Sequence, residues 1–456
     1  MQDVSKRRKI WAWMMFDWAN QPFYTLCLTF IFGPYVASVA TEAFMAAGVA
    51  EDVADAQAQS IWSLTQTVTG LLIAVSAPIL GALADNSGRR TRWIFGFSVI
   101  YVVAVWSLWV LHPDGSGMTT ALVMFGLAMV GAEFALIFTN AMLPSLGSRD
   151  EIGKLSGSGM ALGYAGGVLS LFIMLLLFAE GENGKTLIGL SPPFGLDAAA
   201  REGTRAVGPF SAIWFVVFMI PFFLWVRDGR SKAVPGGAAR ALSELWQLIR
   251  GILGRRSLAA YLGGSMLYRD ALNALYGFGG VYAALVLDWS ITMIGIFGIV
   301  AAIAAAAATW VGGRADSRWG PKPVIVAMVL VLMLVCVVIV GMSREMIFGI
   351  PLAEGSSLPD IVFYVLGALI GAAGGVTQAA SRTLMVRHAD PNRPTEAFGL
   401  YALSGKATAF LAPGLIGAVT IATGSARLGV SPVIFLFLVA LIVMRWVDAE
   451  GETAAA

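Results

Sequence analysis

Twelve long apolar runs succeed one another along this 456-residue chain, and that succession restricts its fold more than any other feature. A helix crosses the hydrocarbon core of a bilayer in about 20 residues. Runs of that order lie near 11–39, 60–84, 93–111, 120–143, 156–179 and 209–226, and again near 258–286, 289–311, 323–342, 359–380, 397–421 and 431–447. They are continuous rather than alternating and too long for strands of a membrane barrel. Only 13% of the residues are charged, and the charges gather between the runs, as expected where lipid is the outer solvent. The 52 glycines and 14 tryptophans fit close helix packing and aromatic belts at the interfaces. The expected fold is therefore an all-α membrane protein with twelve transmembrane helices.

Lysine and arginine set the expected orientation. Counting alternate connections as inner, twenty-three of the 30 basic residues fall at 6–9, 89–92, 149–154, 227–256, 314–322 and 382–393 and at Arg445. The opposite loops hold Lys185, Arg201, Arg205, Arg344 and Arg427, while Arg269 and Lys406 fall inside runs. By the positive-inside bias both termini are expected in the cytoplasm, in a bacterial inner membrane. Lys6–Lys9 reads as the anchor of a retained first helix, since no small-residue cleavage site closes the first run. The basic segment 227–256 contains Pro235-Gly236-Gly237 and turns amphipathic around Ala241–Arg250. It divides the chain into an N-terminal six-helix half (1–226), a cytoplasmic linker (227–256) and a C-terminal half (257–456). Residues 180–208 are expected as a mobile surface loop on the opposite side.

The halves repeat each other. Asp17-Trp18-Ala19-Asn20 in the first run matches Asp270-Ala271-Leu272-Asn273 in the seventh. Gly81–Asp85 through Gly88-Arg89-Arg90 matches Gly312–Asp316 through Gly320-Pro321-Lys322, and Ser156-Gly157 matches Ser404-Gly405. Two pseudo-symmetric six-helix halves are a common transporter plan, with solute bound between them at mid-membrane. Asp85, Arg89, Arg90, Asp316, Arg318 and Lys322 are the expected inner gate, where charge-assisted hydrogen bonds can latch the closed state. An ordinary charged turn is the bland alternative.

Ionisable groups in hydrocarbon are costly and usually face a watery cavity or an opposite charge. Asp17, Glu133, Arg269, Asp270 and Lys406 are the candidates for substrate or coupling roles, with Asn20, Asn140, Asn273 and Gln378 as polar companions. Arg269 and Asp270 are consecutive, about a quarter-turn apart on a helix, and so need different partners. Structural ion pairing between helices is the alternative reading. Gly33-Pro34, Pro78, Pro144, Pro221 and Pro413-Gly414 can bend or end helices. The glycines of 157–167 and 367–375 read as packing faces. Cys27 and Cys336 fall in separate runs, His112 and His388 in loops, so no disulfide framework, metal cluster or cofactor is implied.

Several stretches together resemble one branch of the major facilitator superfamily, that of the fungal vacuolar amino-acid effluxer of autophagy and its bacterial relatives. They are Asp17–Asn20 with Phe32-Gly33-Pro34-Tyr35, Ala77–Asp85, Asn140–Pro144, Gly163–Gly167, Gly374–Arg382, Phe398–Tyr401 and Ser404-Gly405-Lys406. The resemblance covers nearly the whole chain. It implies alternating access by two six-helix halves, and for the fungal relatives amino-acid export. The sequence departs from the branch where Asp270 precedes Ala271 rather than glycine, and where Gln378 is followed by Ala379-Ala380.

The expected function is secondary transport of a small organic solute, amino-acid efflux and proton coupling being the specific readings, with symport and antiport both open. The expected partners are that solute, protons and the bilayer. Nucleic acid is not among them, and one chain supplies both halves, so a monomer is expected to suffice. A facilitative uniporter or exchanger is the first alternative and a non-transporting receptor or scaffold the second. A membrane enzyme would need a nucleophile–base set or metal ligands that the sequence does not supply.

Overall fold

The computed structural model describes residues 5–181, 183–227, 243, 245–247, 249–289 and 291–451. Most of the expected linker, including the start of its amphipathic stretch, lies outside the described residues. In the first part of the chain run α1 (Lys6–Pro22), α2 (Phe32–Ala46), α3 (Glu51–Ser87), α4 (Arg90–Trp106), α5 (Met118–Asn140) and α6 (Arg149–Ile173). The short α7 (Glu202–Arg205) leads into α8 (Val207–Trp225). The second part holds α9 (Arg256–Leu287), α10 (Ile291–Trp319), α11 (Pro321–Gly341), α12 (Leu358–His388) and α13 (Pro394–Ala407). It closes with α14 (Leu411–Thr423), α15 (Ala426–Gly429) and α16 (Ser431–Val443). The strands among the described residues are a two-stranded hairpin, Met346–Ile347 with Ile350–Pro351.

Among the described residues, 11 helical stretches are long and apolar enough to cross a membrane. The remaining expected span is α9, a 32-residue helix. It carries Arg269, Asp270 and Asn273 and four tyrosines. Two runs have more structure than the sequence suggested. The first extends over Lys6–Ala46 and contains a π-helical segment, Phe23–Phe30, that ends at Ile31 with φ −125°. The eleventh is cut at 408–410, where α13 ends and α14 begins. Pro413 is the third residue of α14, where a missing N–H breaks no helical bond.

The chain forms two compact units. Unit 1 comprises Met1–Ser76, Ser87–Thr139 and Leu162–Ala233, and unit 2 comprises Ala77–Asn86, Asn140–Ala161 and Val234–Ala456. The first division falls inside α3, immediately before Pro78.

Small residues set the helix spacing within each unit. In unit 1, a methyl group added at Gly163 or Gly166 would stand 3.1 Å from the Asp17 carbonyl oxygen and 2.9 Å from that of Trp18. In unit 2, Gly371 of α12 lies against the backbone of Ala301, with Gly367 on Phe297 and Gly374 on Tyr276. Gly157 lies on the backbone of Gly313, with 2.5 Å between an added methyl and the Gly313 Cα. Backbones approach this closely only where side chains are absent. Leu245, in the described part of the linker, packs on Ala82.

Segment 180–208, expected as a mobile loop, carries a defined set of turns. Thr186 donates its N–H to Leu190 at 2.8 Å, and the Glu180 carboxylate accepts from the Thr204 N–H at 3.1 Å. Below it, Arg205 is 2% exposed and donates to the Trp109 carbonyl at 2.7 Å. His388, read as a loop residue, ends α12 and is buried, with Nε2 2.8 Å from Ser257 Oγ.

Gly371→Val is expected to destabilise the protein by about 1–3 kcal/mol through overpacking. Gly295→Ala, where an added methyl meets nothing within 4 Å, is expected to be neutral or mildly stabilising. Thermal unfolding of the detergent-solubilised variants compares the two.

Candidate functional site

A helix that begins within a membrane protein leaves its first N–H groups without intrahelical partners, and a carboxylate is the strongest acceptor a side chain offers them. Unit 2 meets this need twice with residues singled out by the sequence. Asp85, near the end of α3 and 7% exposed, faces the start of α13. Its Oδ1 accepts the Thr395 hydroxyl at 2.6 Å and its Oδ2 accepts the Glu396 N–H at 2.8 Å. Asp270, in α9 and 1% exposed, does the same for α14, where Oδ2 accepts the Ala412 N–H at 2.9 Å. Its Oδ1 is buried and has no hydrogen-bond partner among the described residues.

The repeated gate motif gives matched local structure. Asp85 and Asp316 both lie in the last turns of long helices, not in loops. Each helix is followed by a glycine in the left-handed region, Gly88 at φ +64° and Gly320 at φ +86°, a conformation that strains any residue with a Cβ. Asp316 is 1% exposed and packs on Gly153 in the early turns of α6. Beside it, the Lys154 N–H donates to Ser317 Oγ at 2.8 Å. Both acidic residues therefore sit against the N-terminal part of another helix.

The basic members of the expected gate are placed differently. Arg89 and Arg318 are exposed, and Arg90 is half-buried. Lys322 donates from Nζ to the Val447 carbonyl at 2.6 Å, holding the end of the last span. Arg89 and Arg90 belong to unit 1, whereas Asp85, Asp316, Arg318 and Lys322 belong to unit 2.

The other candidates divide between the units. Asp17, Asn20 and Glu133 lie in unit 1, and Asn140, Arg269, Asp270, Asn273, Gln378 and Lys406 lie in unit 2. In unit 1, Tyr24 sets its buried hydroxyl beside Glu133 and Asn20, so α1 and α5 share one polar cluster. Asp17, one turn before Gln21, is half-buried with its backbone against Gly163. Its neighbour Trp18 stacks on Trp214 at 5.6 Å.

In unit 2, Arg269 and Asp270 diverge. The Arg269 guanidinium lies 4.1 Å above the Tyr401 ring, donates to the Tyr401 carbonyl at 2.8 Å and rests on Gly405. This cation–π seat joins α9 to α13 one residue before Lys406. Gln378 and Lys406 are half-buried and Asn273 is exposed.

The sequence places Arg382 among the inner-side charges and at the end of the resembling stretch Gly374–Arg382, without a site role. It is 3% exposed and forms a node of its own. It donates to Asn140 Oδ1 at 3.1 Å, to Ser156 Oγ at 3.1 Å and to the Ser156 carbonyl at 2.6 Å. The end of α5, the start of α6 and α12 are thereby tied together. Thr395 and Tyr401 were also not proposed as site residues. The signals available were the density of polar residues in 377–406 and the resemblance at Gly374–Arg382 and Phe398–Tyr401, neither of which says what each residue meets.

The family model described as "Vacuole effluxer Atg22 like" matches residues 5–154 and 148–456. The chain belongs to this family. It is 24% identical to the MFS-type transporter YxiO of Bacillus subtilis (strain 168) over 97% of its own length and 95% of that protein. It is 25% identical to autophagy-related protein 22-2 of Emericella nidulans over 64% of its length. That alignment covers 49% of the fungal protein, so the chain spans about half the length of this relative. Among solved structures, the major facilitator superfamily proton:xylose symporter XylE, bound to 6-bromo-6-deoxy-D-glucose, superposes with a TM-score of 0.70 at 12% identity. The match covers 99% of this chain and 98% of that one. The fold is that of a multi-pass major facilitator superfamily transporter, a class that moves solutes and is not enzymatic.

Thr395→Val and Asp85→Ala are each expected to lower stability by about 1 kcal/mol through loss of the α13 cap. Arg382→Leu is expected to cost at least about 2 kcal/mol, since it removes three bonds from a charged donor and leaves the Asn140 Oδ1 without that donor, while the Ser156 hydroxyl keeps its bond to the Ala379 carbonyl. Denaturation monitored by tryptophan fluorescence ranks the three.

Proposed function

We propose that this protein is a proton-coupled secondary transporter that exports a small organic solute, amino acids being the substrate class, by alternating access. It works as a monomer in a bacterial inner membrane, with both termini in the cytoplasm. The fold and the family support a solute carrier, and the family description supports efflux. The excess of basic residues on alternate connections supports the orientation.

The observation that carries the coupling reading is Asp270. One of its oxygens is engaged by a helix N-terminus, while the other is buried and unpartnered among the described residues. Such a carboxyl can take up a proton on the free oxygen without giving up its structural bond. Deprotonation strengthens the bond to Ala412, because an N–H pairs more strongly with a charged acceptor. Proton occupancy is thereby linked to the position of α14. Asp17, with the Tyr24–Glu133–Asn20 cluster, is the corresponding polar locus of unit 1, and Arg269, Gln378 and Lys406 are the solute-facing or coupling groups of unit 2. Asp85, Asp316 and Arg382 work as the inner gate: Asp85 and Arg382 bond to the early part of another span, and Asp316 packs against one at Gly153.

Transport is tested in proteoliposomes of the purified protein, by uptake and counterflow of amino acids and small peptides with and without an inward-acid pH gradient. The expected result is gradient-accelerated movement in the native protein. Asp270→Asn keeps the acceptor oxygen but carries no proton, and should lose the acceleration while retaining counterflow. Acceleration that survives Asp270→Asn refutes the coupling role. Movement indifferent to the gradient in the native protein identifies a facilitative exchanger instead.

A further inference from the structure

We infer that residues 187–196 and the aromatic cleft beside them form a docking surface for the acyl chains of membrane phospholipid. The ten residues Leu187-Ile188-Gly189-Leu190-Ser191-Pro192-Pro193-Phe194-Gly195-Leu196 contain no charge, although they connect two spans outside the apolar runs. Their large side chains point away from the protein: Leu187 is 74% exposed, Leu190 51% and Phe194 90%. A contiguous exposed apolar patch of this kind marks an interaction surface.

The segment is held in this presentation. Its base is fixed to the fifth span by the Leu187 N–H, which donates to the Leu175 carbonyl at 3.2 Å, and the Gly189 N–H closes a turn on Thr186 at 2.8 Å. Phe194 adopts φ +62°, an uncommon conformation for a bulky residue, and its ring stands 6.3 Å from Phe178.

Beside it opens a cleft of about 510 Å³ in unit 1, lined among others by Trp106, Trp109, Phe178, Phe194, Phe210 and Trp214. Every lining residue is apolar or aromatic. The cleft is continuous with the flanks of two membrane spans, where Trp106 is 50% exposed and Ile213 54%. The bilayer already covers those flanks, so its acyl chains are the occupant in direct reach.

A water-soluble solute is the wrong match. Small-molecule sites orient their ligands with a few convergent polar groups. Here the Trp214 indole N–H is engaged by the Trp18 carbonyl at 3.1 Å. The nearest cation, Arg205, is buried beneath Trp109 and bonded to the carbonyls of Trp109 and Ala200. The chemistry left on the surface is that of hydrocarbon with indole rings, which suits the boundary between acyl chains and headgroups.

Cysteines at Leu190 or Phe194 can be labelled with an environment-sensitive fluorophore, because native Cys27 and Cys336 are both buried. The labelled protein is placed in phosphatidylethanolamine–phosphatidylglycerol vesicles containing doxyl-acyl lipid. The expected result is blue-shifted emission quenched by the doxyl chains at both positions, with an unquenched label at exposed Ala199→Cys. Emission at Leu190 and Phe194 as water-like as at Ala199 overturns the docking surface. For the cleft, Ile213→Trp should lose phospholipid that the native protein keeps through detergent purification, read by native mass spectrometry. Equal retention by the two proteins overturns the assignment of the cleft.

Discussion

A helix that starts inside a membrane protein exposes N–H groups that hydrocarbon cannot satisfy, and much of this structure follows from how that demand is met. The eleventh span is the clearest case, because it starts twice. Asp85 supplies the acceptors for the first start and Asp270 for the second. Both carboxylates come from other helices, so each cap is also a long-range tie. An acidic residue in an apolar run, as Asp270 is, would be costly if it did nothing else. Here the two carboxylates satisfy the backbone of one span from the side chains of two others.

The internal repeat places its two acidic residues alike, although among the described residues only Asp85 accepts hydrogen bonds from the helix it faces. Asp85 and Asp316 end their helices beside the early turns of another, and each is followed by a glycine with positive φ. Close backbone approach at Gly157, Gly166 and Gly371 sets the helix spacing within each unit. The Arg382 node adds a cationic tie, in which a guanidinium donates to a side-chain amide, a hydroxyl and a backbone carbonyl.

Much of the fold was legible because hydrocarbon imposes a long, simple pattern. Apolar runs of about 20 residues and the bias of Lys and Arg can be read without knowing any contact. The cut at 408–410 was not legible, since Thr408-Ala409-Phe410 contains neither proline nor glycine and the nearby Pro413 fits the following helix. Arg382 was misjudged for a related reason. A basic residue near the end of a run looks like a surface charge, and only Asn140 and Ser156, more than two hundred residues away in sequence, show that it is buried. Local patterns reveal which residues are expensive to place, whereas their partners are set by the tertiary structure.

The divided eleventh span also has a mechanical meaning. It consists of two rods, one of 14 residues and one of 13, joined by a three-residue joint. Each rod is pinned at its own beginning, and by a different neighbour. A load applied to such a member turns it at the joint, because bending a hydrogen-bonded rod strains many bonds together. The two pins therefore constrain the rods separately, Asp85 at the start of the first and Asp270 at the start of the second.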